Sequence, residues 1–157
     1  MSVKQPQELA SYIKGKKNVL VLTGSLCDSV DFGGKSLMDY AAEIIKKLGS
    51  PVAATANTPL GLKAKGAELG EKKKYVAEIL SALRFPWMEP IMPEKPELLV
   101  FIGYPPAVAA SLVSMVKDAE TAVLGNTYVE QATCSLPDAS ASWAQWRQHL
   151  EQLVKAL

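Results

Sequence analysis

Four short runs of apolar residues set the strongest limit on what this chain can fold into. Val19-Leu20-Val21-Leu22 ends in Thr23-Gly24, and Leu98-Leu99-Val100-Phe101-Ile102 ends in Gly103. Pro51-Val52-Ala53-Ala54-Thr55 and Thr121-Ala122-Val123-Leu124-Gly125 are weaker versions of the same pattern. None alternates cleanly between apolar and polar residues. A strand with one face in water would alternate, so these runs predict strands covered on both faces, as in a parallel sheet.

Helical stripes lie between the runs. Leu9, Tyr12 and Ile13 share one face of an opening helix, with Pro6 in its first turn and Gly15 near its end. Leu37, Met38, Ala41, Ile45 and Leu48 repeat at helical spacing until Gly49. Tyr75, Val76, Ile79, Leu80 and Leu83 form another stripe, and Val108, Leu112, Met115 and Val116 a fourth. Trp143, Trp146, Leu150, Leu153 and Leu157 make a last helix, opened by Ser142-Trp143-Ala144-Gln145, which reads as a capping box. Strand and helix in alternation predict an α/β fold, a three-layer Rossmann-like sandwich built on a parallel sheet. Residues 1–157 read as one such domain, with no internal repeat and no linker.

Two segments interrupt the rhythm. Residues 55–70 carry Asn57, Thr58, Pro59, Gly61 and Gly66 and read as a loop with room for a turn of helix. Residues 84–96 place Pro86, Pro90, Pro93 and Pro96 around Phe85, Trp87, Met88, Ile91 and Met92. Trp and Met are enriched at the centres of interfaces, so this segment is expected to meet a partner, to cover its own core or to serve as a ligand lid.

Seventeen basic residues face sixteen acidic ones, a net charge of +1. Lys72-Lys73-Lys74 reads as a solvated helix end. Nucleic-acid binding draws on a basic face that releases counterions, and this balance offers none. The stretch from Met1 to Glu8 lacks the apolar core of a signal peptide. No apolar run approaches the roughly 20 residues that cross a bilayer. A cytoplasmic chain without membrane contact is therefore expected, with Cys27 and Cys134 as reduced thiols.

In open α/β sheets, ligands bind beyond the carboxyl ends of the strands. The candidate binding residues are Gly24, Ser25 and Leu26 after the first run, and Thr55, followed by Ala56 and Asn57, after the second. Gly103 and Tyr104 follow the third, and Asn126, between Gly125 and Thr127, follows the fourth. Asp31-Phe32-Gly33-Gly34 is glycine-rich but lies several residues past a strand end. There is no G-x-G-x-x-G fingerprint and no P-loop, so bound nucleotide and plain strand-to-helix turns both remain open readings.

Catalytic and metal chemistry find little material. An iron–sulfur cluster usually takes four Cys and structural zinc four Cys or His, whereas this chain has two Cys and one His. No metal site and no catalytic residue are assigned. His149 reads as a surface residue of the last helix, and no G-x-S-x-G elbow accompanies it. Cys27 reads as a buried or half-buried inert thiol and Cys134 as a loop thiol. Asp28 and Asp31 lie near a strand end, where paired carboxylates could serve acid–base chemistry, though surface loop acids are far commoner, and a small hydrolase or transferase acting through Cys27 and Asp28 is a further enzymatic reading.

Lys17-Asn18-Val19-Leu20-Val21-Leu22-Thr23-Gly24-Ser25-Leu26, followed by Ser50-Pro51-Val52-Ala53-Ala54-Thr55, resembles the opening of the epsilon subunit of the archaeal acetyl-CoA decarbonylase/synthase complex. Glu97-Leu98-Leu99-Val100-Phe101-Ile102-Gly103-Tyr104, Thr121-Ala122-Val123-Leu124 and Tyr128-Val129-Glu130-Gln131-Ala132-Thr133-Cys134-Ser135 continue the likeness in the same order. The resemblance implies the NAD/FAD-binding fold shared by deoxyhypusine synthase, sirtuins and the central domain of thiamine-diphosphate enzymes. It implies an accessory role without catalysis, stabilising a large alpha subunit of CO dehydrogenase in an alpha-two epsilon-two assembly. The nickel–iron–sulfur clusters that interconvert CO and CO2 would sit in that partner. If this chain itself holds a cofactor, the resemblance implies FAD, docked for electron transfer. Self-association is a further possibility of the family, and a free-standing FAD or NAD module is the alternative reading. Between Leu60 and Pro96 the chain is richer in Pro and Lys than the family pattern.

Overall fold

The computed structural model describes residues 2–55, 58–65, 76–89 and 91–157. Ala56, Asn57, Gly66, the Lys72–Lys74 cluster, Tyr75 and Pro90, all named above, lie outside the described residues. In chain order the elements are β1 (Ser2–Val3), α1 (Pro6–Lys14), β2 (Val19–Thr23), α2 (Leu26–Ser29), α3 (Leu37–Leu48), β3 (Val52–Ala54) and α4 (Thr58–Ala64). Then come α5 (Val76–Ala82), β4 (Leu98–Ile102), α6 (Pro106–Ser114), β5 (Glu120–Val123), β6 (Cys134–Ser135) and α7 (Trp143–Ala156).

The six strands form one sheet in the order β1-β6-β5-β4-β2-β3, and every neighbouring pair is parallel. β2 and β4 are its centre, paired from Val19 with Leu98 to Thr23 with Ile102. All five residues of each are buried, which is why neither run alternates. Their side chains divide between two cores by strand parity. Val19, Val21, Leu98, Val100 and Ile102 face a core shared with α1, α3 and α7. Leu20, Leu22, Leu99 and Phe101 face a second core shared with α5 and α6. The molecule is thus the expected α/β three-layer sandwich with a parallel sheet.

The first core is tied down at its edges by polar contacts. The Tyr40 hydroxyl donates to Glu151 and accepts from Arg147 Nε at 3.1 Å, joining α3 to α7. The Phe32 ring meets Tyr40, Trp143 and Trp146 edge-on, with centroids 5.7, 6.0 and 5.3 Å away. At the other end of the sheet, Glu120 accepts from Tyr12 at 2.7 Å and pairs with Lys16, joining α1 to β5.

The local signals behave as their chemistry demands, with some departures. Gly49 ends α3 at φ 61°, a left-handed cap that glycine adopts without strain. The full capping box is at the start of α3, where Ser36 and Asp39 exchange bonds, and was not read from the sequence. Ser142 supplies only half of one, accepting from the Gln145 amide at 3.4 Å. Residues 58–64 form a helix, α4, rather than a loop with a turn. Its Gly61 packs so closely that a Cβ there would sit 2.5 Å from the Met38 Cε, and this contact with α3 is invisible in the sequence.

Two two-residue strands, β1 and β6, also escaped the periodicity, because two residues carry none. β1 pairs with β6, and Cys134 belongs to β6 rather than to a loop, fully buried. The proline-rich segment divides its residues. Met92 is buried and Trp87 and Ile91 pack on the second core, with Trp87 Nε1 donating to the Met92 carbonyl at 2.9 Å. Phe85 and Met88 point outward, 67% and 89% exposed.

His149 is not the surface residue expected of it. It is only 8% exposed, and its Nδ1 is buried without a hydrogen-bond partner. Burial disfavours the imidazolium and lowers its pKa below the ordinary 6.5. Between that lowered value and 6.5 the unfolded chain binds more protons than the folded one, so stability rises with pH there. The contribution is complete above about pH 7 and is lost as pH falls through the window. The urea midpoint is expected to drop between pH 7.5 and 5.5, above the range where carboxylates titrate. In His149→Gln the drop across that interval should shrink; an identical drop in the variant would show that His149 is not its source.

Candidate functional site

The strand order places a reversal at the centre of the sheet. From β2 the chain moves outward to β3, then crosses back to β4 on the other side of β2. The carboxyl ends of β2 and β4 therefore flank the switch point where this class of fold binds ligands. Gly24, Ser25 and Leu26 leave β2 there, and Gly103 and Tyr104 leave β4.

These two turns are bonded to each other. The Gly24 amide donates to the Ile102 carbonyl and the Leu26 amide to the Gly103 carbonyl, both at 2.8 Å. Gly103 has φ 89°, a region that only glycine enters freely. A Cβ on Gly24 would lie 2.5 Å from the Gly103 carbonyl oxygen. A Cβ on Gly103 would lie 2.4 Å from Cys27 Sγ and 2.9 Å from the Gly24 carbonyl oxygen. The two glycines are needed because two stretches of backbone touch.

Cys27 closes the contact from below. It is 1% exposed, and its Sγ is 3.6 Å from the Ile102 carbonyl oxygen. Burial, helped by the charge of Asp28, pushes the thiol up to about 12. At neutral pH such a group is almost wholly protonated and is no nucleophile. The expectation of an inert thiol fits this setting, and a hydrolase working through Cys27 and Asp28 does not.

Thr55 joins the same region from β3. Its amide donates to the Thr23 carbonyl at 3.2 Å, and its hydroxyl donates to that same oxygen. The Thr58 hydroxyl donates to the Thr55 carbonyl and lies 3.0 Å from the Thr23 hydroxyl, tying the start of α4 to β2. Thr23 and Thr58, both fully buried, were not singled out by sequence, since a lone Thr at a strand end carries no signal. Tyr104 stacks edge-on against Phe101 at 5.8 Å. Its hydroxyl is buried and makes no hydrogen bond of good geometry. Burial raises its pKa well above the usual value, with the nearby Thr55 side chain acting the other way.

Asn126 stands apart. Its carbonyl accepts from the Ala139 amide at 2.7 Å and its side-chain oxygen from the Thr127 hydroxyl at 3.4 Å, so it braces the chain after β5. Among the described residues, no hydrogen bond links it to the other six candidates. The glycine-rich stretch 31–34 serves packing too. Asp31 Oδ1 accepts from the Gly33 amide at 2.8 Å, Gly33 and Gly34 have φ 92° and 93°, and Phe32 is seated between α3 and α7.

A flavin or nicotinamide dinucleotide would ask this region for free amides aimed at a pyrophosphate. Four amides of the first turn are already engaged: Gly24 and Leu26 as above, Cys27 to the Gly24 carbonyl at 3.1 Å, and Asp28 to the Ser25 carbonyl at 3.0 Å. The helix that follows, α2, has only four residues. At the start of α3, the Asp39 carboxylate already occupies the place of an anion, bonded to the Ser36 amide at 2.8 Å. The turn after β2 and the start of α3 therefore offer few free amides to a dinucleotide pyrophosphate.

Gly24→Ala and Gly103→Ala are expected to lose about 1–3 kcal/mol of stability each, the usual cost of forcing a methylene into packed structure. The Gly103 variant should be the worse, because its φ adds strain. Urea unfolding measures this, and unchanged midpoints would mean that the turns do not touch. Native Cys27 should react with an alkylating reagent at pH 8 at least about a hundredfold more slowly than in the unfolded chain.

No helix among the described residues is long and apolar enough to cross a membrane, and no group of three or more Cys, His, Asp or Glu among them is placed to hold a metal ion. No protein-family model matches this chain, and no curated protein matches it.

Proposed function

We propose that this chain is an accessory subunit that works by docking onto a larger redox enzyme, in the manner of the epsilon subunit that its sequence resembles. The observation that carries the reading is a largely apolar band on the outer side of the second core. Phe85 and Met88 are 67% and 89% exposed, and Val108 and Met115 on and beside α6 are 44% and 46% exposed. Arg84 donates to the Met115 carbonyl at 3.3 Å and so joins the two pieces. α6 contains no charged residue at all, although Pro106, Ala107, Val108, Ser111 and Ser114 face outward. A surface helix normally turns charge to water. Aromatic and Met side chains with few charges are what the buried centre of an interface is made from, and Glu78 and Glu89, beside Phe85, would lie on its polar rim.

The partner of choice is the cluster-bearing alpha subunit of a CO dehydrogenase, in the alpha-two epsilon-two assembly that the resemblance implies. Electron chemistry would then belong to the partner's nickel–iron–sulfur centre. A flavin role for this chain draws no support from the turn after β2, where the Gly24, Leu26, Cys27 and Asp28 amides are already bonded. The same bonds weigh against the free-standing nucleotide module.

The test is direct binding of the whole chain to purified alpha subunit by analytical ultracentrifugation. Complex formation is expected, and Phe85→Asp with Met88→Asp should weaken it by about 2 kcal/mol or more, as at interface hot spots. Both side chains are exposed, so the thermal midpoint should hardly move. The chain alone should not reduce a viologen dye with CO. Failure to bind alpha, or binding indifferent to both substitutions, would remove the reading.

A further inference from the structure

The opposite end of the sheet carries a cleft that none of the readings above uses. It opens at the amino ends of β2 and β3, between the loops that enter those strands and the end of α7, and measures about 430 Å³. That is the size range of small-molecule sites, about 300–1,000 Å³. Its wall is divided by chemistry. One part is apolar, made by Leu48, Pro51, Met92 and neighbours. The other carries Lys14, Lys16, Lys17 and Lys47, while no Asp or Glu is among the lining residues.

Three acids border the cleft, but among the described residues only Glu120 is ion-paired with one of its lysines. Glu120 pairs with Lys16 and also accepts from Tyr12. Glu97 accepts from the Lys17 and Asn18 backbone amides at 2.7 and 3.4 Å, and Glu94 from the Asn18 side chain at 3.0 Å. Lys14 and Lys47 donate to the Ala156 and Val154 carbonyls at the end of α7, at 3.3 and 2.7 Å, and meet no carboxylate. The Lys17 ammonium makes no hydrogen bond or ion pair among the described residues. Ser50 also lines the cleft, and its hydroxyl is buried without a partner.

We propose that this cleft binds an organic phosphate, with Lys17, Lys47 and Lys14 around the phosphate and the apolar body against Leu48, Pro51 and Met92. Three ammonium groups, none of them ion-paired with a carboxylate among the described residues, suit the several oxygens of a phosphate. Lysine binds phosphate as a point charge and needs no fixed fork geometry, which suits mobile side chains at a cleft mouth. The apolar wall favours a ligand with a nonpolar portion over bare phosphate. The site lies at the end of the sheet away from the switch point, so it stands independently of the docking reading.

The test is titration of the intact chain with ADP as probe, beside orthophosphate, by calorimetry and by amide chemical shifts. Saturable one-to-one binding of ADP is expected, weakening as salt is raised and much tighter than orthophosphate. Lys17→Ala is the clean variant, since that side chain holds nothing else, and it should weaken ADP binding about tenfold or more. Lys63→Ala, an exposed lysine on α4, should leave binding unchanged. Shifts should centre on residues 48–51. No saturable binding, an unaffected Lys17→Ala, equal affinity for orthophosphate, or shifts centred on Gly24 and Gly103 would each overturn the proposal.

Discussion

The sheet is held at its centre by a contact between two stretches of backbone. β2 and β4 run side by side for five residue pairs, and where they end Gly24 and Gly103 press together with no room for a Cβ. Everything else is arranged around this seam. The two strands are buried on both faces, so each donates alternate side chains to two separate cores. A break in the seam would therefore loosen both layers of helices at once. Full burial of such Leu, Val and Ile side chains contributes about 1.5–3 kcal/mol apiece.

The same seam decides what the switch point can do. In folds of this class the glycine after the first strand commonly lets a ligand approach the backbone. Here the neighbouring turn has taken that place. Hydrogen bonds from Gly24 and Leu26 to the chain at Ile102 and Gly103 satisfy groups that a phosphate would otherwise receive. Cys27, under the seam, is correspondingly shielded, and its thiol is held protonated by burial. Rigidity has displaced reactivity at the position where reactivity was most to be looked for.

What remains available lies at the periphery, in two chemically different places. The uncharged outer side of α6 and the exposed residues Phe85 and Met88 present apolar surface. The amino end of the sheet presents lysines around a cleft with an apolar wall. The first suits a protein partner and the second a small anion, and the two sit on different parts of the sandwich. A chain built this way can act through what it holds and what holds it.

Much of this was legible in the residues. Unbroken apolar runs closed by glycine placed β2 and β4, and helical stripes placed α1, α3, α6 and α7, because burial on both faces and on one face leave different periods in a sequence. The proline-rich segment announced a surface that would be irregular and apolar. Three things were decided only in three dimensions. Two-residue strands such as β1 and β6 exist through their neighbours, since two residues have no period of their own. The burial of His149 depends on which side of α7 meets the core, and one polar residue in an amphipathic helix does not reveal it. Most of all, Gly24 and Gly103 looked alike as openings for a ligand when they lay some eighty residues apart in the chain. Only the parallel pairing of β2 with β4 brings them face to face, and it turns two apparent openings into a single closure.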